Sequence, residues 1–144
     1  MTVLGLDVGD RRIGVAISDP FGLTVRPLSV ITRRSNQQAA DAIRDLAERN
    51  EVDKVVVGVP FRAESEVGTQ AQKILAFVRF LKTRIQQPIE TWDERFSTAD
   101  AEQAMIAMGV RRTRRREMID AAAAAVILDD WFTAHRPPSA PSPL

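Results

Sequence analysis

The sequence predicts an α/β protein built on one mixed sheet: an antiparallel three-strand meander continued by parallel strands, with helices on both faces. Three observations predict it. The first 32 residues hold three short β-branched, apolar runs joined by tight links. The pattern then switches to helix, strand, helix, strand, in which parallel strands need helical crossovers. Finally, Lys54–Val59 is a dense β-branched run, the composition of a strand covered on both faces.

Taken in order, Val3–Asp7 is a buried strand ending in a carboxylate and Gly9. Ile13–Asp19 is a second strand, reached through a tight turn over residues 8–12. Thr24–Thr32 is a third, interrupted near its start by Pro27. Ser35 and Gln38 have capping-box spacing and open a helix to about Asn50, with Ala39, Ile43, Leu46 and Ala47 on one face. Pro60 ends the strand Lys54–Val59, and residues 61–68 form a polar loop. A helix follows over Thr69–Gln86, then a short strand Ile89–Trp92 introduced by Pro88. Ser97 with Asp100 caps a helix to about Met108, stopped by Gly109. The final helix runs from about Arg114 to His135. Residues 1–135 are expected to form one domain, and 136–144, with four of the eight prolines, a flexible tail. The order β-β-β-α-β-α-β-α-α is that of the ribonuclease H-like architecture.

Composition narrows the chemistry. The chain has 144 residues, no cysteine, no tyrosine and a single His135. Disulfides, thiolate zinc sites, a cysteine nucleophile and a histidine metal cage are thereby excluded. Any metal must be held by oxygen, which selects Mg²⁺ or Mn²⁺. No apolar run approaches the ~20 residues of a membrane span, and the start lacks signal-peptide character. No membrane partner is expected, and the expected location is the cytoplasm. Net charge is only +1, yet 17 of the 20 basic residues are arginine. Arg111, Arg112, Arg114, Arg115 and Arg116 form one cluster; Arg11–Arg12 and Arg33–Arg34 form two pairs. Arginine's planar fork suits phosphate, so a nucleic-acid backbone is one reading and a solvated basic helix end the other.

Three acids stand out. Asp7 ends an apolar strand at the carboxyl edge, where open α/β sheets place their ligand sites; a turn-capping role is the alternative. Asp93–Glu94 follows the short strand Ile89–Trp92. Alternation sends the two side chains in opposite directions, favouring Glu94 for the site and leaving Asp93 for the turn. Asp120 shares a helix face with Ala124, Ile127 and Trp131. The run Ala121–Ala125 has little bulk, so this helix can approach the sheet closely; stabilisation of the helix start is the competing reading. Three carboxylates converging at one edge could hold divalent ions that activate water on a phosphodiester.

The stretch Gly5-Leu6-Asp7-Val8-Gly9-Asp10-Arg11-Arg12-Ile13-Gly14-Val15-Ala16-Ile17-Ser18-Asp19 resembles the opening signature of the YqgF family. Val56-Val57-Gly58-Val59-Pro60, Asp93-Glu94-Arg95-Phe96-Ser97-Thr98 and Ile119-Asp120 with the alanines and Ile127-Leu128 agree in order and spacing. These are small bacterial ribonuclease H-like proteins described as pre-16S rRNA nucleases and Holliday junction resolvases. The resemblance implies catalytic and metal-holding roles for Asp7, Glu94 and Asp120. It implies Mg²⁺ or Mn²⁺, hydrolysis of a nucleic-acid backbone, and maturation of the 16S rRNA 5′ end. Arg11, Arg12, Arg95, Arg111, Arg112, Arg114, Arg115 and Arg116 would hold the flanking phosphates of pre-rRNA or branched DNA. One departure is Arg62-Ala63-Glu64-Ser65, where the family usually has an Asn-Met-Asp-Gly-type loop. A junction-cutting DNA endonuclease and a non-catalytic nucleic-acid-binding module remain open. An actin-like or sugar-kinase ATPase, which needs two such domains, is too large for this length.

Overall fold

The structure, a computed structural model, describes residues 1–60, 65–94 and 112–135. Among them are five strands and three helices: β1 (Val3–Val8), β2 (Arg12–Ser18), β3 (Val25–Thr32), α1 (Asn36–Arg49), β4 (Lys54–Val59), α2 (Ser65–Lys82), β5 (Ile89–Asp93) and α3 (Arg112–His135). They form one sheet in the order β3-β2-β1-β4-β5. β1–β2 and β2–β3 are antiparallel, and β1–β4 and β4–β5 are parallel, as the sequence predicts.

Local chemistry accounts for the elements. Pro27 sits on the edge strand β3 beside a register shift between Val15 and Ala16, where its missing N–H costs least. The β2–β3 turn is organised by Asp19. Its carboxylate accepts from the N–H groups of Phe21, Leu23 and Thr24 and from the Thr24 hydroxyl. These bonds, the one from Leu23 foremost, hold its pKa below the ordinary value. At α1 the Ser35 hydroxyl accepts from Gln38 N–H at 3.1 Å, and Gln38 Oε1 accepts from Arg34 N–H at 2.9 Å. That reciprocal pair is the cap that the sequence predicts.

Two boundaries differ from expectation. α2 begins at Ser65, so part of the expected loop over 61–68 is helical. It ends at Lys82 rather than Gln86. The chain turns over residues 83–85 and tucks Ile85 inward, with its N–H bonded to Leu81 O at 3.1 Å. Pro88 then disfavours helical geometry in the residue before it. The expected helix Ser97–Met108, the departing residues 62–64, Arg95, Arg111 and the tail 136–144 lie outside the described residues.

Each sheet face has its own core. Leu4, Leu6, Val8, Ile13 and Val15 pack against Ile43 of α1 and Ile74, Phe77 and Leu81 of α2. On the other face Val3, Ala16 and Val56 meet Ala124, Ile127, Leu128 and Trp131 of α3. The far end of α3 is tied to β5, where Trp131 Nε1 donates to Glu90 and Trp92 Nε1 donates to Asp130 at 2.7 Å.

Candidate active site

The α3 face of the sheet is floored with glycine. A Cβ built on Gly5 would stand 2.9 Å from Leu128 Cβ, and one on Gly58 would stand 2.5 Å from Ile127 Cδ1. One on Gly14 would overlap the carbonyl oxygen of Asp120 itself. Ala121 and Ala124, whose backbone atoms lie beside Gly14 and Gly5, are fully buried. Small residues on both sides let α3 lie almost backbone to backbone on the sheet, and that approach carries Asp120 to the sheet edge.

Asp7 comes to the same place from β1. Leu4, Leu6 and Val8 belong to the opposite core, so alternation turns Gly5 and Asp7 toward α3. Asp7 pairs in register with Gly14, over which Asp120 is seated. Glu94 arrives from β5. Glu90 and Trp92 bond to side chains of α3, and alternation gives Glu94 the same side. Its N–H bonds to Val59 O at 2.9 Å, extending the ladder one residue past the strand. Asp93 pairs with Val59 at the end of β5.

Two of the three acids act on Asp7. Burial is the largest influence on Asp7, and the charges of Glu94 and Asp120 add to it, raising its pKa to about 7. Burial also raises that of Glu94. Asp120 is additionally held by a cation: Arg12 Nε lies 2.8 Å from Asp120 Oδ2, with the Arg12 side chain 61% exposed. An exposed pair of this kind contributes little to stability and is easily exchanged. Among the described residues no three Asp, Glu or His side chains form a ready-made metal-ligand group. The donors are nevertheless all oxygen and the local charge is in excess of negative, which suits a hard divalent cation. His135, the sole histidine, lies at the other end of α3, stacked on Trp131.

The pKa of Asp7 has a consequence for stability. Its folded value of about 7 exceeds the ordinary 3.8, so the folded chain binds the proton more tightly than the unfolded chain. The favourable contribution is full below the ordinary value and is lost as pH rises to about 7. In metal-free buffer, wild type relative to Asp7→Asn is expected to lose roughly 2 kcal/mol between about pH 5 and about pH 8, allowing for partial exposure. Urea unfolding of both proteins at the two pH values measures this.

The predicted basic residues fall into two groups. Arg11, in the β1–β2 turn, and Arg12, the first residue of β2, are exposed at the edge that carries Asp7. Arg112, Arg114, Arg115 and Arg116 lie in the first turns of α3, about 6–12 Å before Asp120 along the helix axis. Two features escaped the sequence reading. Gly14 is the seat of Asp120, signalled only by its placement two residues from Arg12. The pair Arg33–Arg34, which the sequence pattern does not place, stands just after β3, on this same edge.

The chain has counterparts among known proteins. A protein of Desulforamulus reducens that is named as a pre-16S rRNA nuclease is 43% identical over 92% of this chain and 96% of its own. One of Halothermothrix orenii is 40% identical over 92% of this chain and 94% of its own. Among solved structures, Thermus thermophilus RuvC in complex with a Holliday junction superposes with a TM-score of 0.57 at 18% identity, covering 93% of this chain and 95% of that one. The fowlpox virus Holliday junction resolvase gives 0.58 at 16% identity, covering 93% and 99%. At such identities these two structures establish the fold, which is ribonuclease H-like. The model of the RuvX family, described as Holliday junction resolvase, matches residues 1–134. With a matched span of that length and relatives of such identity, the chain belongs to the RuvX (YqgF) family of nucleases.

Proposed function

We propose that the chain hydrolyses phosphodiester bonds in the 5′-end processing of pre-16S rRNA, with Asp7, Glu94 and Asp120 as the catalytic, metal-holding acids. The observation that carries this reading is the carboxyl of Asp7, half-buried at the end of a central strand and repelled by Glu94 and Asp120. A largely buried carboxyl opposed by two neighbouring carboxylates is costly unless a cation joins them. The names of the relatives support the choice of RNA substrate.

When bound, Mg²⁺ or Mn²⁺ would supply an activated water and stabilise the leaving oxygen. Asp7 and Glu94, fixed by strand backbone, orient the site. Asp120 completes it from α3 once Arg12 gives up its carboxylate. The guanidinium of Arg12 then turns to a flanking phosphate, for which its fork of donors is well shaped. Arg11, Arg95 and the cluster Arg111–Arg116 would hold phosphates further along the strand. Among the described residues no helix is long and apolar enough to cross a membrane. Action on pre-rRNA would place the protein in the cytoplasm.

The test is cleavage of a precursor 16S RNA with Mg²⁺ or Mn²⁺ and with EDTA, comparing wild type with Asp120→Asn and Glu94→Gln. Losses of about 10²-fold or more in both variants are expected. Wild-type rates in both would remove these residues from the site. The family's description favours a second reading, a resolvase of four-way DNA junctions. Faster cutting of a synthetic junction than of the RNA would establish that reading instead. Salt-sensitive RNA binding with no metal-dependent turnover on either substrate would leave only a binding module.

A further inference from the structure

A second cleft opens at the same sheet edge, on the side of α1 and α2. Its volume is about 410 Å³, and Asp10, Arg33, Arg34, Ser35, Lys73 and Phe77 line it. Three cations face one carboxylate. Arg33 is fixed as its floor: Nη1 donates to Gly9 O at 2.9 Å, Nη2 donates to Asn36 Oδ1 at 2.9 Å, and the guanidinium lies 4.6 Å from the centre of the Phe77 ring. Its backbone N–H also bonds to Arg11 O at 2.8 Å. Arg33 thus braces the turn that follows Asp7, and the cleft and the acids share one rigid support.

The remaining cations are available. Arg34 is exposed and its side chain makes no ion pair among the described residues. Lys73 reaches Asp10 only at 3.9 Å, with both side chains more than half exposed, so the pair is weak and exchangeable. The N-terminus of α1, capped by Ser35, adds its positive end to the same wall.

We propose that this cleft is a phosphate-binding subsite for the nucleic-acid strand, engaging backbone phosphates a few nucleotide steps from the bond at Asp7. Arg34 and Lys73 are its mobile contacts, and Arg33 is the positioning residue beneath them. This rests on the nuclease reading above. A strand crossing the edge would meet Arg12 and the start of α3 on one side of the sheet and this cleft on the other.

The test is fluorescence anisotropy of a labelled single-stranded RNA in EDTA, so that no cleavage occurs, across a salt series. The double variant Arg34→Gln/Lys73→Gln is expected to bind about 10-fold more weakly at 0.1 M salt. Its slope of log affinity against log salt should be shallower by about 1–1.5, for two lost contacts at about 0.7 each. Because both side chains are exposed, its thermal melt should match wild type. Arg44→Gln/Arg84→Gln removes the same charge from a cleft at the far end of α1 and α2, and should leave affinity and slope unchanged. An unchanged slope in the first variant, or an equal loss in the second, overturns the proposal. So does weakened binding of inorganic phosphate with RNA affinity intact, which would make the cleft a site for free phosphate. Wild type that binds RNA through this cleft yet never cuts it would refute the nuclease reading and leave the subsite standing.

Discussion

Asp7→Asn is expected to lower metal-dependent cleavage by about 10³-fold or more, equivalent to about 4 kcal/mol of transition-state stabilisation. The side chain keeps its shape but loses the charge that Glu94 and Asp120 oppose. The same change should therefore make the metal-free protein more resistant to heat at neutral pH. Opposite directions for rate and stability are what distinguish a functional carboxylate from a structural one. Single-turnover cleavage rates and calorimetric melting of the same preparation give both values. A variant that cuts normally, or one that melts earlier, would mean that Asp7 serves the turn before Gly9 and not the chemistry.

Gly14→Ala is expected to be nearly as damaging, by packing alone. The added methyl would overlap the Asp120 carbonyl oxygen, with Asp120 C and Ala121 N crowded behind it. All three are backbone atoms of a helix and cannot rotate away. Overpacking ordinarily costs 1–3 kcal/mol, and here the upper part of that range, about 3 kcal/mol, applies because α3 itself must shift. The shift moves Asp120 off the edge, so cleavage falls even where the protein remains folded. Gly58→Ala is the natural comparison. Its methyl would meet the terminal Cδ1 of Ile127, which can change rotamer, so a smaller loss of stability is expected. Urea midpoints of the two variants rank the costs; equal values would mean that helix approach is not what Gly14 protects.

How much of this was legible depended on whether the deciding signal was local. β4 matched its expected bounds because a β-branched run stopped by proline leaves little freedom. α1 matched because Ser35 and Gln38 carry the cap within four residues. The start of α2 differs from expectation because Ser65-Glu66-Val67-Gly68 has the composition of a loop, and such propensities are weak guides. Its end was misread because Ile85 continues the apolar spacing while being buried from a turn. In the site, alternation turned Glu94 toward α3, and helical periodicity put Asp120 on a packed face. The glycine floor was not legible: Gly5, Gly14 and Gly58 come from three strands, and only their register aligns them. Nor was the Arg12–Asp120 pair, whose members are 108 residues apart. The Arg33–Arg34 pair showed its charge but not its location, because Gly9, Asn36 and Phe77 fix it only in three dimensions.

The long sequence gap between Arg12 and Asp120 also bears on how the protein is made. Translation delivers Asp7 within moments, whereas Asp120 must wait until more than a hundred further residues have been polymerised and have cleared the exit tunnel. On the proposed assignment a half-synthesised polypeptide carries an incomplete cutting centre, and cleavage is expected only from chains whose closing helix has docked.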